Sequence, residues 1–129
     1  MLAGVPKGSS PLSYAYQLTM KASQLGFDWP NIAEVFKKLD EEMKELQEAI
    51  ALKNRGRIRD EIGDLLFVLV NIARFLRIDP EEALGRTLEK FTLRFHHIEL
   101  SLRKKGKSFR QTNLFEMDQL WEEAKKKIK

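Results

Sequence analysis

Cysteine is absent from this 129-residue chain, and histidine occurs only as the neighbours His96 and His97. Without cysteine there is no disulfide scaffold, no thiolate zinc site and no cysteine nucleophile. Glycine and proline are scarce, seven and four, so the chain is rarely punctuated. Its longest apolar run, Leu65 to Val70, is far short of the roughly 20 residues that span a bilayer. The opening residues, Met1-Leu2-Ala3-Gly4-Val5-Pro6-Lys7-Gly8, lack the apolar stretch of a secretory signal. These absences leave a cytoplasmic protein with no membrane partner as the expectation, and the length suits one domain.

Charge, by contrast, is plentiful. One residue in three is ionic, with 23 Lys and Arg against 19 Asp and Glu, a formal +4 and a sequence pI near 9.4. The excess is unevenly placed: residues 1–30 carry a net +1, residues 31–70 a net −2 and residues 71–129 a net +5. A generic polyanion binder has no need of an acidic centre. The distribution suits a site that holds a cation and then a polyphosphate, and nucleic acid is not the expected partner.

The apolar residues recur at helical spacing almost throughout. Residues 4–11 read as a linker. A first helix is expected over Ser13–Leu25, stopped at Gly26. Asn31 and Glu34 have capping-box spacing and open a second, which carries Ile32, Val35, Phe36, Leu39, Met43, Leu46 and Ile50 and ends near Asn54-Arg55-Gly56. A third runs from Arg57 to Leu76. Asp79-Pro80-Glu81-Glu82 starts a fourth, reaching Lys105 before Gly106. Asn113 and Glu116 open a fifth. The expected fold is all-α, a bundle of about five helices; residues 1–12 form a linker-like segment and 13–129 a single domain.

The informative pattern is Glu41-Glu42-Met43-Lys44-Glu45 followed, after fifteen residues, by Glu61-Ile62-Gly63-Asp64. On helical wheels of about 100° per residue, Glu42 and Glu45 flank one apolar stripe as Glu61 and Asp64 flank the other. Antiparallel packing across the short Lys53–Arg57 connection would bring four carboxylates together. Such a cluster stays ionised only beside a cation. Oxygen ligands without cysteine or paired histidine favour Mg²⁺, with Mn²⁺ as a substitute, over zinc. Glu34, Glu41 and Glu48 read more simply as a solvated face. The segment Leu65–Val70 is apolar all round, the mark of a helix with little free face, and acids leading into it are expensive without a partner. Gly63 suits either a close helix approach or mere tolerance. A ferritin-like di-metal bundle needs Glu-x-x-His twice; Leu93 and Arg94 stand three residues before His96 and His97, so that class is excluded.

On the fourth helix Leu84, Leu88, Phe91, Phe95, Ile98 and Leu102 form the core stripe, and Lys90, Arg94 and His97 share a flank. Cations in such a row bind phosphate oxygens or simply face solvent; for His97 the bland role is the expected one. Asn71, seven residues after Asp64, lies on the acid side of its helix and either contacts substrate or serves a structural hydrogen bond. Trp121 sits on the last helix's apolar stripe, one turn before Lys125.

These residues resemble a known family. Glu41-Glu42-x-x-Glu45 with Glu61-x-x-Asp64 is similar to the defining motif of MazG-type, all-α nucleoside triphosphate pyrophosphohydrolases. Gly26-Phe27-Asp28-Trp29-Pro30, Asp60 to Phe67, Val70-Asn71-Ile72-Ala73-Arg74, Glu89-Lys90-Phe91 with Arg94-Phe95, and Trp121 with Lys125 extend the likeness to the C-terminal half of two-domain MazG proteins. The resemblance implies Mg²⁺-dependent hydrolysis of a nucleoside triphosphate to monophosphate and pyrophosphate. It implies that Glu42, Glu45, Glu61 and Asp64 hold the metal and that Glu41 is an outer ligand or orients water. Lys90 and Arg94 would contact the triphosphate, Trp121 and Lys125 would close the nucleotide pocket, and Asn71 is a further substrate-binding candidate. It also implies a homodimer, or a tetramer, whose four-helix core is completed by the second copy. Ser9-Ser10-Pro11-Leu12-Ser13 is more polar than the family's Leu-Pro-Ala-Leu at the first helix. No other MazG domain precedes this one in the sequence, so a single-domain protein and a piece of a two-domain one both remain open. The alternatives are a narrower relative (a dUTP or dCTP pyrophosphatase, or a phosphoribosyl-ATP pyrophosphohydrolase) and a non-catalytic helical module that binds nucleic acid.

Overall fold

The computed structural model describes residues 1–7 and 10–129. Gly8 and Ser9, which fall in the linker-like segment and at the polar approach to the first helix, lie outside the described residues. Those described contain five α-helices and no strand: α1 (Pro11–Gln24), α2 (Ile32–Ala51), α3 (Arg55–Phe75), α4 (Pro80–Lys104) and α5 (Leu114–Lys127), with 3₁₀ turns at Leu2–Gly4 and Phe109–Gln111. None of these helices is long and apolar enough to cross a membrane.

The helix boundaries follow from local chemistry. Ser10 caps α1 by accepting from the Ser13 amide, with Pro11 at the first helical position where its missing N–H costs nothing. The helix therefore begins two residues earlier than the apolar spacing predicts. Asn31 caps α2 and Asn113 caps α5, each accepting from the amide three residues on. Gly26 and Gly106 follow α1 and α4 with φ of 94° and 67°, the left-handed conformation that ends a helix. The α2–α3 junction differs from the expectation. α2 stops at Ala51, Lys53 takes φ 54°, and Asn54 caps α3 by accepting from the Arg57 amide. Asn54 thus opens the third helix, and Arg55 and Gly56 belong to its first turn.

The chain divides into two compact units, Met1–Glu82 and Ala83–Lys129. In the first, α2 and α3 form an antiparallel hairpin and α1 lies against α3; Val35, Ala49, Val68 and Val70 are its buried apolar residues. In the second, Ile98 and Leu102 of α4 meet Leu120 of α5, with Met117 and Trp121 packed against them.

Two packing expectations are corrected. Leu66, Phe67 and Leu69 remain 52%, 44% and 50% exposed, so the apolar stretch of α3 is not enclosed within its own unit. On α4 only Ile98 and Leu102 of the predicted stripe are buried, while Leu84, Leu88, Phe91 and Phe95 stay exposed. The sequence pattern marks surface that wants burial; it does not say by what. A Cβ built on Gly63 meets no atom within 4 Å, so no close approach within the chain requires a glycine there.

Candidate metal centre

Antiparallel pairing across the Leu52–Asn54 connection sets the last half of α2 beside the first half of α3. Glu42 and Glu45 lie one turn apart on α2, and Glu61 lies opposite on α3. One carboxylate oxygen from each of the three comes within 4.8 Å of the others. Glu42 and Glu61 are buried and Glu45 is half-buried. Asp64 does not join this group: three residues carry it about 4.5 Å further along α3, to an exposed position. Glu41 is exposed, 3.6 Å from Lys38.

The cluster is short of positive charge. Lys38 lies 3.1 Å from Glu42, and Arg57 reaches Glu61 at 3.9 Å while also pairing with Glu48. Neither cation was apparent as part of a site from composition, although the four-residue spacings Lys38–Glu42 and Arg57–Glu61 are those of helical ion pairs. Lys38 is held above the ordinary lysine range, chiefly by its hydrogen bond to Glu42. Glu61 is pushed up to about 7, first by the adjoining Glu42 carboxyl, then by burial, then by the charge of Glu45 and Glu42. Glu42 Oε2 and Glu61 Oε2 are buried without a hydrogen-bond partner. Buried acceptors are normally satisfied, and carboxylate oxygens crowded in this way suit a hard divalent cation. The residues present fit such an ion.

Asn71, on the flank of α3 that carries Asp64, has no exposed surface. Its Nδ2 donates to the Phe67 carbonyl at 3.1 Å, and its Oδ1 accepts from Arg74 Nη2 at 2.9 Å. Arg74 also donates to both carboxylate oxygens of Asp28, at 2.8 and 2.7 Å. That fork holds the Asp28 carboxyl below its usual range. The pair spans 46 residues of sequence, so no local pattern announced it.

The remaining candidates belong to the second unit. Arg94 lies over the Trp121 ring at 5.6 Å, and its Nε donates to the Ile128 carbonyl at 3.0 Å. Trp121 tilts against Phe91, with 5.6 Å between centroids. Lys90 is half-buried, and Lys125 pairs with Glu122 at 3.5 Å. His97 stands 3.4 Å from Glu123.

With three acids converging from an α2–α3 hairpin, the comparison with known proteins is direct. The MazG nucleotide pyrophosphohydrolase domain model matches residues 31–99, which include all five acids of the motif. The chain belongs to the MazG family. It is 42% identical over 114 residues to the nucleoside triphosphate pyrophosphohydrolase/pyrophosphatase MazG of Thermotoga maritima, covering 88% of this chain and 44% of that protein. It is 31% identical over 129 residues to the nucleoside triphosphate pyrophosphohydrolase of Escherichia coli K12, covering 97% of this chain and 48% of that protein. A 68-residue stretch is 48% identical to the uncharacterized protein YabN of Bacillus subtilis, covering 14% of that protein. The chain thus spans less than half the length of each of these relatives.

Proposed function

We propose that this MazG-family chain hydrolyses nucleoside triphosphates between the α- and β-phosphates, yielding nucleoside monophosphate and pyrophosphate. The observation that carries the reading is the convergence of Glu42, Glu45 and Glu61 within 4.8 Å, with two buried oxygens unpartnered, in a chain with two relatives that carry that activity in their names. Glu42, Glu45 and Glu61 would hold Mg²⁺, or Mn²⁺ in its place, with Asp64 as the fourth carboxylate. Such an ion supplies neutralisation of phosphate charge and acidification of water.

The chain's own groups do the rest. Glu41, exposed beside the cluster, orients the attacking water. Its oxygen bonds to the α-phosphorus as the bond to the bridging oxygen breaks and pyrophosphate leaves. Lys90 and Arg94 contact the triphosphate, where cations stabilise the charge that develops. Trp121 and Lys125 close over the nucleotide, and Asn71 lies on its approach along α3. Residues 13–129 form the catalytic module in this reading, and a cytoplasmic setting follows from the nucleotide substrate.

The partner is a second copy. Half-exposed apolar side chains run along α3 (Ile62, Leu66, Leu69) and α4 (Leu84, Leu88, Phe91); matching faces on two copies would bury them and complete a four-helix core. Pyrophosphate release across a panel of standard and altered nucleotides, with and without Mg²⁺, tests the activity. Glu61→Gln and Asp64→Asn are expected to lose at least about a hundredfold, by the magnitude typical of removing a transition-state contact, with circular dichroism unchanged. Full activity in both would overturn the assignment.

A further inference from the structure

The first unit contains a cavity of about 470 Å³ between α1, the Leu25–Asn31 connection and α3. Ligand sites of small molecules fall in this size range. One wall is aromatic: Phe27 and Trp29 from the connection and Phe67 from α3. Leu18 and Ala22 of α1 form an aliphatic side, and Asp28, Asn71 and Arg74 supply its polar groups.

Its place along α3 matters. Asp64, Phe67 and Asn71 follow one flank of the helix, and at 1.5 Å per residue Phe67 and Asn71 lie about 4.5 and 10 Å beyond Asp64. That run matches the distance from a nucleotide's α-phosphate, through its sugar, to its base. The unsatisfied buried atoms of this unit also separate by sign. Among the described residues 1–82 they are Glu42 Oε2, Glu61 Oε2 and Arg74 Nε: two acceptors at the acid cluster and one donor on a residue that lines the cavity. The Arg74 side chain is only 9% exposed.

We propose that this cavity receives the nucleoside end of the substrate, its base stacked on the aromatic wall and its polar edge read against the Arg74–Asp28–Asn71 network. The inference rests on the proposed pyrophosphohydrolase activity and adds to it where the base goes. Aromatic faces stack on any base and give affinity with little choice. The polar network gives choice, because it is fixed. Asn71 cannot flip its amide, since the Phe67 carbonyl only accepts and Arg74 only donates. The two-bonded fork from Arg74 to Asp28 then sets the guanidinium plane. Asn71 acts here as a positioning residue, through Arg74.

The test compares nucleoside triphosphates with ribose 5-triphosphate, which keeps the reacting phosphates and lacks the base. Ala22→Phe fills the cavity, and Phe27→Ala removes a wall at a residue 82% exposed, where folding is undisturbed. Both are expected to raise KM for base-bearing substrates about tenfold, the scale of one lost stacking contact. Turnover of ribose 5-triphosphate should stay the same. Asn71→Ala should reorder the preference among bases instead of lowering all rates alike. Equal loss on both substrate kinds, or loss on neither, overturns the cavity assignment while leaving the activity standing. If the wild type releases no pyrophosphate from any substrate, the activity itself fails. The cavity is then judged alone, by calorimetric titration of the wild-type chain with free nucleosides: saturable binding abolished by Ala22→Phe supports it, and no binding overturns it. A change in oligomeric state by Ala22→Phe without effect on nucleosides means a second copy fills the space, and overturns it too.

Discussion

Glu61 is buried against two other carboxylates, which push its carboxyl up to about 7, and Arg57 at 3.9 Å neutralises it in part. Removing the charge should therefore help the metal-free fold and harm the metal-bound one. In Glu61→Gln the melting temperature without metal is expected to rise above wild type, while the upward shift that Mg²⁺ produces in wild type disappears; differential scanning calorimetry with and without Mg²⁺ checks both. Glu116 presents the opposite case. It accepts from Thr112, Lys107 and Lys105, and these bonds hold its carboxyl down at about 2. A depressed carboxyl contributes stability that is complete above its unfolded value of 4.5 and is lost as pH falls toward 2. The gap in melting temperature between wild type and Glu116→Gln is expected at pH 6 and should close between pH 4.5 and 2. The acid motif was legible residue by residue because its spacing is local. Which three of the acids meet was not, since wheel positions fix the direction of a side chain and not the height at which two helices cross. The Asp28–Arg74 pair was invisible for the same kind of reason: it exists only once α1 has folded back on α3.

The helices themselves were read to within a few residues wherever a cap was written in the sequence, as at Asn31, Asp79 and Asn113. The α2–α3 junction was misread because Asn serves equally to end one helix and to start another, and only the left-handed Lys53 just before it decides. Asn54→Ala is expected to destabilise by about 1 kcal/mol, as for other caps, measured by urea unfolding. Gly63 gives a complementary test. With no neighbour within 4 Å in its own chain, Gly63→Ala should stabilise the single chain by about 0.5–1 kcal/mol, through helix propensity. A fall in stability instead, at concentrations where copies associate, would show that the glycine serves the contact between them.

For the molecule as a whole, the apolar faces of α3 and α4 dominate. Ile62, Leu66 and Leu69 on one and Leu84, Leu88 and Phe91 on the other are each 45–57% exposed. The stripe pattern foretold burial, and several of its residues stay exposed; a covering second copy is the proposed reason. Light scattering should return twice the 15.1 kDa chain mass, and Leu69→Glu should return a single copy with much reduced pyrophosphate release. The clustered carboxylates Glu42, Glu45 and Glu61, meanwhile, come from one hairpin closed by the Leu52–Asn54 connection. Short loops close quickly and at small entropic cost. The centre can therefore take shape while the rest of the chain is still unfolded, and even as it emerges from the ribosome. Refolding with Mg²⁺ present would then be faster than without it, the ion acting as a nucleus for the chain that later encloses it.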